Sequence, residues 1–245
     1  VFADVDESSF NSRREDFESL VGERTRALVI VHLYGRCADI DPLLELARER
    51  GVPVIEDAAQ ALGATSEGRA AGSMGEIGCF SFFPTKNLGA FGDAGLVVTK
   101  DEALGERLRA TRNHGEASKY HHSFVGGNFR MDALQAALLR VKLPPLDAYN
   151  EARRCNAQRY EELFAATGVA ALVSQATELK PSILLTPASW PGHIFHQYVI
   201  QVLGDGLRDR LREYLAENGV QTEVYYPQAL HRQACFAELA RPRPT

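Results

Sequence analysis

The run Ile77-Gly78-Cys79-Phe80-Ser81-Phe82-Phe83-Pro84-Thr85-Lys86 decides how this chain is read. Its first seven residues are apolar and aromatic enough to form a buried strand, and Pro84-Thr85 turns the chain out of it. Lys86 follows at once, ahead of Asn87-Leu88-Gly89 and the glycine-rich Gly92-Asp93-Ala94-Gly95. A lysine at the end of a buried strand, walled by phenylalanines, loses solvation, and its pKa falls. A neutral amine of that kind is the nucleophile that carbonyl chemistry needs, Schiff-base attachment of pyridoxal 5'-phosphate included. An ordinary surface lysine on a loop is the competing reading, and a second residue separates the two.

That residue is Asp57, in Val52-Pro53-Val54-Ile55-Glu56-Asp57-Ala58-Ala59-Gln60. Val54 and Ile55 continue a buried strand, and the acids arrive as it ends. In an open α/β sheet, the carboxyl ends of the strands are where ligands bind. A carboxylate set there against a pyridine nitrogen favours the protonated, electron-withdrawing ring. Taken alone, Asp57-Ala58-Ala59-Gln60 reads better as a helix N-cap. With Lys86 one strand later, the cofactor reading is preferred.

Outward from these two stretches the elements alternate. Ala27-Leu28-Val29-Ile30-Val31 is a continuous apolar run, typical of a sheet covered on both faces. A helix from Asp41-Pro42 carries Leu43, Leu44, Leu46 and Ala47 on its apolar side and closes at Gly51. Leu96-Val97-Val98-Thr99 adds a strand, and Asp101 to Arg112 a helix ending near Asn113-His114-Gly115. Strand, helix and strand in this rhythm imply an α/β domain with a mostly parallel sheet and flanking helices. From Asp132 a long helix sets Leu134, Ala137, Leu138 and Val141 along one face. Pro144-Pro145 interrupts it, and a second helix runs from about Leu146 to Phe164. The domain change falls at this break, giving a large domain over 1–145 and a smaller α+β domain over 146–245. In the smaller one, His196 to Val202 alternates as a half-exposed strand. Asp205 to Asn218, closed by Gly219, reads as a helix, and Val220 to Tyr226 as a further strand.

Composition bounds the function classes. The chain has 245 residues, 45% hydrophobic and 24% charged, enough to bury a substantial core. Its 27 basic residues are scattered among 32 acids, so the net charge of −5 leaves no electrostatic footprint for nucleic acid. The longest apolar stretches are strand-sized, short of a membrane span. Cys37, Cys79, Cys155 and Cys235 form no CxxC pair and read as reduced, mostly buried thiols of a cytoplasmic protein. His121-His122 is no metal pair, because adjacent side chains point apart and no third ligand is spaced to join them. Neither GxGxxG nor a phosphate loop ending in Lys-Ser or Lys-Thr occurs.

Three motifs then carry a resemblance. Glu56-Asp57-Ala58-Ala59-Gln60-Ala61-Leu62-Gly63-Ala64, Ser81-Phe82-Phe83-Pro84-Thr85-Lys86-Asn87-Leu88-Gly89 and Gly126-Gly127-Asn128-Phe129-Arg130-Met131 resemble the DegT/DnrJ/EryC1/StrS family. Lys142-Leu143-Pro144-Pro145-Leu146-Asp147 and Tyr225-Tyr226-Pro227 through Leu230-His231 extend the likeness nearly to both ends. Members are pyridoxal-phosphate sugar aminotransferases of the aspartate-aminotransferase (type I) fold. The resemblance implies Lys86 as the residue that holds the cofactor and Asp57 as the partner of its ring nitrogen. It places Gln60 near the phenolic oxygen and Ser81 on the phosphate. Asn128 would reach the phosphate of a neighbouring subunit, in a homodimer with shared sites. Where the family usually shows an aromatic, this chain has Gly127. His231 resembles a position near the sugar, although a histidine beside a helix start is more often structural. Tyr34, with His32, ends a strand on the same edge as Asp57 and is expected to line the site.

The activity so implied is transamination of a nucleotide-linked keto-sugar, with glutamate as amino donor. Gln60, where some relatives have histidine, points toward C3 rather than C4. Family members that dehydrate sugars replace the lysine with histidine, so Lys86 argues against that chemistry. A non-catalytic, regulatory binder is the reading from another class. The chain opens at Val1 like a mid-domain strand, so it is expected to be an internal stretch of a longer enzyme.

Overall fold

The computed structural model describes residues 1–168, 170–172, 184–187 and 190–239. The chain enters through helix α1 (Arg14–Glu18), strand β1 (Leu28–Val31), helix α2 (Ile40–Arg50) and strand β2 (Val54–Asp57). A small hairpin, β3 (Thr65–Ser66) and β4 (Arg69–Ala70), precedes β5 (Ile77–Ser81) and β6 (Gly95–Val98). Strands β1, β2 and β5 pair in parallel, and β6 runs antiparallel against β5. This register sets Val31, Asp57 and Cys79 side by side at one carboxyl edge. The mostly parallel sheet with flanking helices is therefore as the sequence implies.

Helix α2 shows how sequence makes the core. Ile40, Leu43, Leu46 and Ala47 fall on one face and pack against Leu28, Ile30 and Val54 of the sheet. Each large side chain buried this way contributes roughly 1.5–3 kcal/mol. Gly51 ends the helix in the left-handed region at φ 62°, its N–H returning to the Ala47 and Arg48 carbonyls. The other face of the sheet differs from expectation. Val29 and Val31 are 53% and 40% exposed, and Leu96 and Val97 of β6 are exposed too. Only one side of β1 meets α2, so the apolar run is not covered on both faces among the described residues.

Beyond the sheet lie α3 (Glu102–Arg112), the ribbon β7 (Glu116–Ser118) and β8 (His121–His122), then α4 (Ala133–Lys142) and α5 (Leu146–Thr167). The apolar stripe of α4 does not enter the core. Leu139 is its buried residue, packed with Phe82, Leu88 and Ala90, whereas Leu134 and Val141 are 80% and 76% exposed. The helix turns its narrow Leu139 side to the lysine loop, and the wider stripe faces outward.

A three-stranded sheet follows, β9 (Ala170–Leu172), β10 (Leu184–Thr186) and β11 (Gln201–Val202), and then helix α6 (Leu207–Glu217). Two expected strands are not formed. Of His196 to Val202, only the last two residues are strand, because the preceding segment bonds elsewhere. Ile194 donates to the Gly35 carbonyl and Gln197 to that of Tyr34, while Arg153 caps the Phe195 and His196 carbonyls. Val220 to Tyr226 is irregular as well, its backbone drawn to local partners such as the Leu215 carbonyl and the Glu223 carboxylate. The four thiols are free, but only Cys37 is buried; Cys79 is partly covered, and Cys155 and Cys235 are exposed. No helix among the described residues is long and apolar enough to cross a membrane.

Candidate active site

Strand alternation sends the two acids of β2 in opposite directions. Glu56 is fully buried behind the sheet. One of its oxygens takes the His32 Nε2–H at 2.8 Å and the Gly72 N–H at 2.7 Å; the other takes the N–H groups of Met74 and Gly75, each at 2.5 Å. The loop reaches it by folding over β5 so closely that a Cβ on Gly78 would lie 2.0 Å from the Gly72 carbonyl oxygen. Burial pushes the Glu56 carboxyl up, but the bonds from His32, Gly75 and Gly72 outweigh it and hold it below its ordinary value. His32 accepts the Ala38 N–H at Nδ1, which leaves Nε2 as the donor. The expectation that His32 lines the site is thus corrected: both of its ring nitrogens are engaged inside.

Asp57 points the other way. One carboxylate oxygen accepts the Ala59 N–H at 3.0 Å and stabilises a turn in which Ala58–Gln60 are not helical. Lys86 stands on the loop after β5, its N–H bonded to the Phe83 carbonyl at 2.9 Å. Lys142 of α4 donates to the Gly89 carbonyl of the same loop, and Gln135 takes the Phe91 N–H at 2.8 Å. The lysine is half-buried. Burial pulls its amine below the ordinary lysine value, and the Asp57 charge opposes that pull. Asp57 also raises the neighbouring Cys79 thiol, after burial, so its charge is felt across the strand ends.

The other predicted residues divide. Gln60 accepts the Tyr34 N–H at 2.7 Å through Oε1, and its Nε2 lies 3.5 Å from the Tyr226 hydroxyl. Tyr34 is buried, and its hydroxyl donates to the Tyr225 carbonyl. Burial raises its phenol, with a contribution from Tyr226. Ser81 ends β5, and its Oγ accepts the Phe83 N–H at 3.3 Å. Asn128 is exposed on a loop clamped to the end of α3, where the Gly127 and Phe129 N–H groups bond the Thr111 and Arg112 carbonyls. A Cβ on Gly127 would fall 2.5 Å from the Phe129 ring, which is exposed and would swing aside. Asn128 bonds locally, its Oδ1 accepting the Arg130 N–H, and not to Lys86 or Asp57. His231 sits in a 3-10 turn with its ring 6.4 Å from that of Phe2, which itself packs edge-on against Phe236. A cleft of about 610 Å³ between α3 and the β7–β8 ribbon contains none of Lys86, Asp57, Gln60 and Ser81.

A family model described as the DegT/DnrJ/EryC1/StrS aminotransferase family matches residues 1–245. The chain belongs to this family. Curated relatives include a pleiotropic regulatory protein of Geobacillus stearothermophilus and a UDP-N-acetyl-3-dehydro-alpha-D-glucosamine 3-aminotransferase of Acidithiobacillus ferrooxidans. Each is 43% identical over 241 residues, covering 98% of this chain and 61% of the relative. The crystal structure of S. venezuelae DesV in complex with a ketimine intermediate superposes with a TM-score of 0.86 at 38% identity, over 99% of this chain and 61% of that one. The fold is accordingly the type I aminotransferase fold of this family. The chain spans about three-fifths of the length of each of these proteins.

Two site features lay outside the sequence reading. His196, Asn87 and Asn150 form a hydrogen-bonded set beside the lysine, and Tyr225-Tyr226 closes over Gln60 and Tyr34. The one available signal for His196 was a histidine set between the apolar Ile194-Phe195 and Tyr198-Val199.

Proposed function

We propose that the whole protein is a pyridoxal 5'-phosphate-dependent aminotransferase that turns a nucleotide-linked keto-sugar into an amino sugar, with glutamate as donor. The reading is carried by the half-buried Lys86 amine, held below its ordinary pKa by burial with the Asp57 charge acting against it. A cofactor whose aldehyde needs a nucleophilic amine, and whose ring nitrogen needs an acid partner, fits that pair. Bound there, it supplies an electron-withdrawing ring that takes up negative charge from the carbon beside the amine nitrogen. Lys86 would hold the aldehyde carbon through Nζ, and the same Nζ, when free, would hold and move a proton at the donor's α-carbon. The Asp57 carboxylate keeps a proton on the ring nitrogen.

Gln60 serves the phenolic oxygen through Nε2, since its Oε1 is taken by the Tyr34 N–H. Ser81 serves the phosphate, joined by Asn128 from a second subunit; Tyr34 and His231 border the sugar. The outward stripe of α4 supports a homodimer, as does the exposure of Asn128. The chain divides into a large domain over 1–145 and a smaller one over 146–245. Gln60 and the 3-aminotransferase among the relatives favour a 3-keto sugar. The regulatory name among the relatives supports a second reading, a member that binds cofactor without turnover.

The full-length protein mixed with pyridoxal phosphate, reduced with borohydride and digested should carry the adduct on Lys86 by mass spectrometry. Its visible absorbance should bleach when glutamate is added. An adduct without bleaching would favour the binder, and no adduct on Lys86 would remove the lysine from the mechanism.

A further inference from the structure

Asn150 and His196, both buried, and the half-buried Asn87 that follows Lys86 form a chain of hydrogen bonds with only one consistent direction. It starts at the Leu62 carbonyl oxygen, which can only accept. Asn150 Nδ2–H donates to it at 3.2 Å. The Asn150 amide is thereby oriented, with Oδ1 left to accept Asn87 Nδ2–H at 2.7 Å. Asn87 is oriented in turn, and its Oδ1 faces His196 Nδ1 at 2.8 Å. An amide oxygen requires a donor opposite it, so the proton of the neutral imidazole sits on Nδ1 and Nε2 keeps its lone pair. Asn150 is 1% exposed and His196 9% exposed, so each broken bond in the chain leaves an unsatisfied group away from water. Gly63 leaves the space that Asn150 fills; a Cβ there would lie 2.5 Å from its Nδ2.

The neutral state of His196 has a physical cause. Burial pulls its imidazole down to about 4, and the Lys86 and Arg153 charges add to that. The ring is therefore close enough to Lys86 to feel its charge, yet adds no charge of its own.

We propose that His196, locked through Asn87 to Asn150, is a positioning residue that fixes the backbone at Lys86 and keeps the amine half-buried. Asn87 is the residue directly after the lysine, so pinning its side chain to helix α5 on one side and to His196 on the other limits where the amine can point. The proposal rests on the reading of Lys86 given above. Its effect on the amine, however, exists without any cofactor.

The test uses the full-length protein with His196 replaced by Asn, Gln or Leu. An asparagine amide nitrogen takes the place of Nδ1 and retains the donor to Asn87. A glutamine nitrogen takes the place of Nε2 and loses it, and leucine loses both. In cofactor-free protein, the pH dependence of acetic anhydride labelling at the Lys86 peptide reads the amine directly. His196→Leu and His196→Gln should move the labelling midpoint up toward the ordinary lysine value and slow borohydride trapping of pyridoxal phosphate by about tenfold. His196→Asn should restore both to within about threefold of wild type. If all three variants label Lys86 as wild type does and differ only in melting temperature, His196 is merely structural and the proposal falls. If Asn behaves as Leu does, the Nδ1 lock is wrong. Failure of wild type to trap the cofactor at Lys86 would sink the functional reading alone, because the labelling arm still reports on the lock.

Discussion

Glu56 and Asp57 are neighbours in sequence and opposites in chemistry. Glu56 has four donors and no access to water; Asp57 has one backbone donor, is partly exposed, and its charge is felt at Lys86. His32 belongs with Glu56, since both of its ring nitrogens are bonded within the core. A titratable group with every lone pair and proton satisfied holds structure together. One with spare capacity beside a perturbed amine is available for chemistry. Burial alone would have ranked Glu56 first as a functional acid; counting its partners reverses the order.

The contrast can be broken in order of effect. Lys86→Ala in the full-length enzyme should lower turnover at least about 1000-fold, within the range expected for loss of an acid–base and covalent group, while leaving the unfolding midpoint in urea nearly unchanged. Glu56→Ala should do the reverse. It strands His32 Nε2–H and three backbone N–H groups in a dry site, and stability should fall by about 3–5 kcal/mol in chemical denaturation. Asp57→Asn should reduce turnover about 100-fold, with stability close to wild type; a large loss of stability instead would place Asp57 with Glu56 as a structural acid.

The acid limb of stability sharpens the pair further. Because the folded Glu56 carboxyl lies below its ordinary value of 4.5, its stabilising contribution is complete above about that pH and is lost as pH falls through the folded value. Glu56→Gln should therefore flatten the dependence of unfolding free energy on pH below 4.5, followed by urea titrations at several pH values. The smallest effect is expected from Asp101→Ala. This exposed carboxylate caps α3 through a single bond to the Leu104 N–H at 2.8 Å, and its loss should cost about 1 kcal/mol with turnover unaffected.

Local rules were legible in the residues. Gly51 and Gly219 stand just past helices at positive φ, Asp101 caps the helix that follows it, and Pro144-Pro145 separates α4 from α5. Asp57 at the end of β2 and Lys86 on the loop after β5 are near enough for the Asp57 charge to be felt at the amine. What was not legible depends on partners far along the chain. The stripe of α4 was legible as an apolar face, but periodicity does not report what covers it. The alternation over His196 to Val202 reads as a strand, but Gly35, Tyr34 and Arg153 take its backbone groups first. The lock on His196 needs Asn87 and Asn150, 109 and 46 positions away in the chain, and no local pattern marks such a set.

The loop that reaches Glu56 also limits how this protein can be improved. Exchanging glycine for alanine commonly stabilises a fold by trimming the freedom of the unfolded chain. At Gly72 and Gly78 that route is closed: a methyl at Gly72 would enter the Phe80 ring at 2.4 Å, and one at Gly78 would strike the Gly72 carbonyl. A consensus or library design that treats these two positions as free sites for rigidification would lever the amides off the carboxylate they serve. Thermostability gained elsewhere in the sequence would then be surrendered at this one crossing.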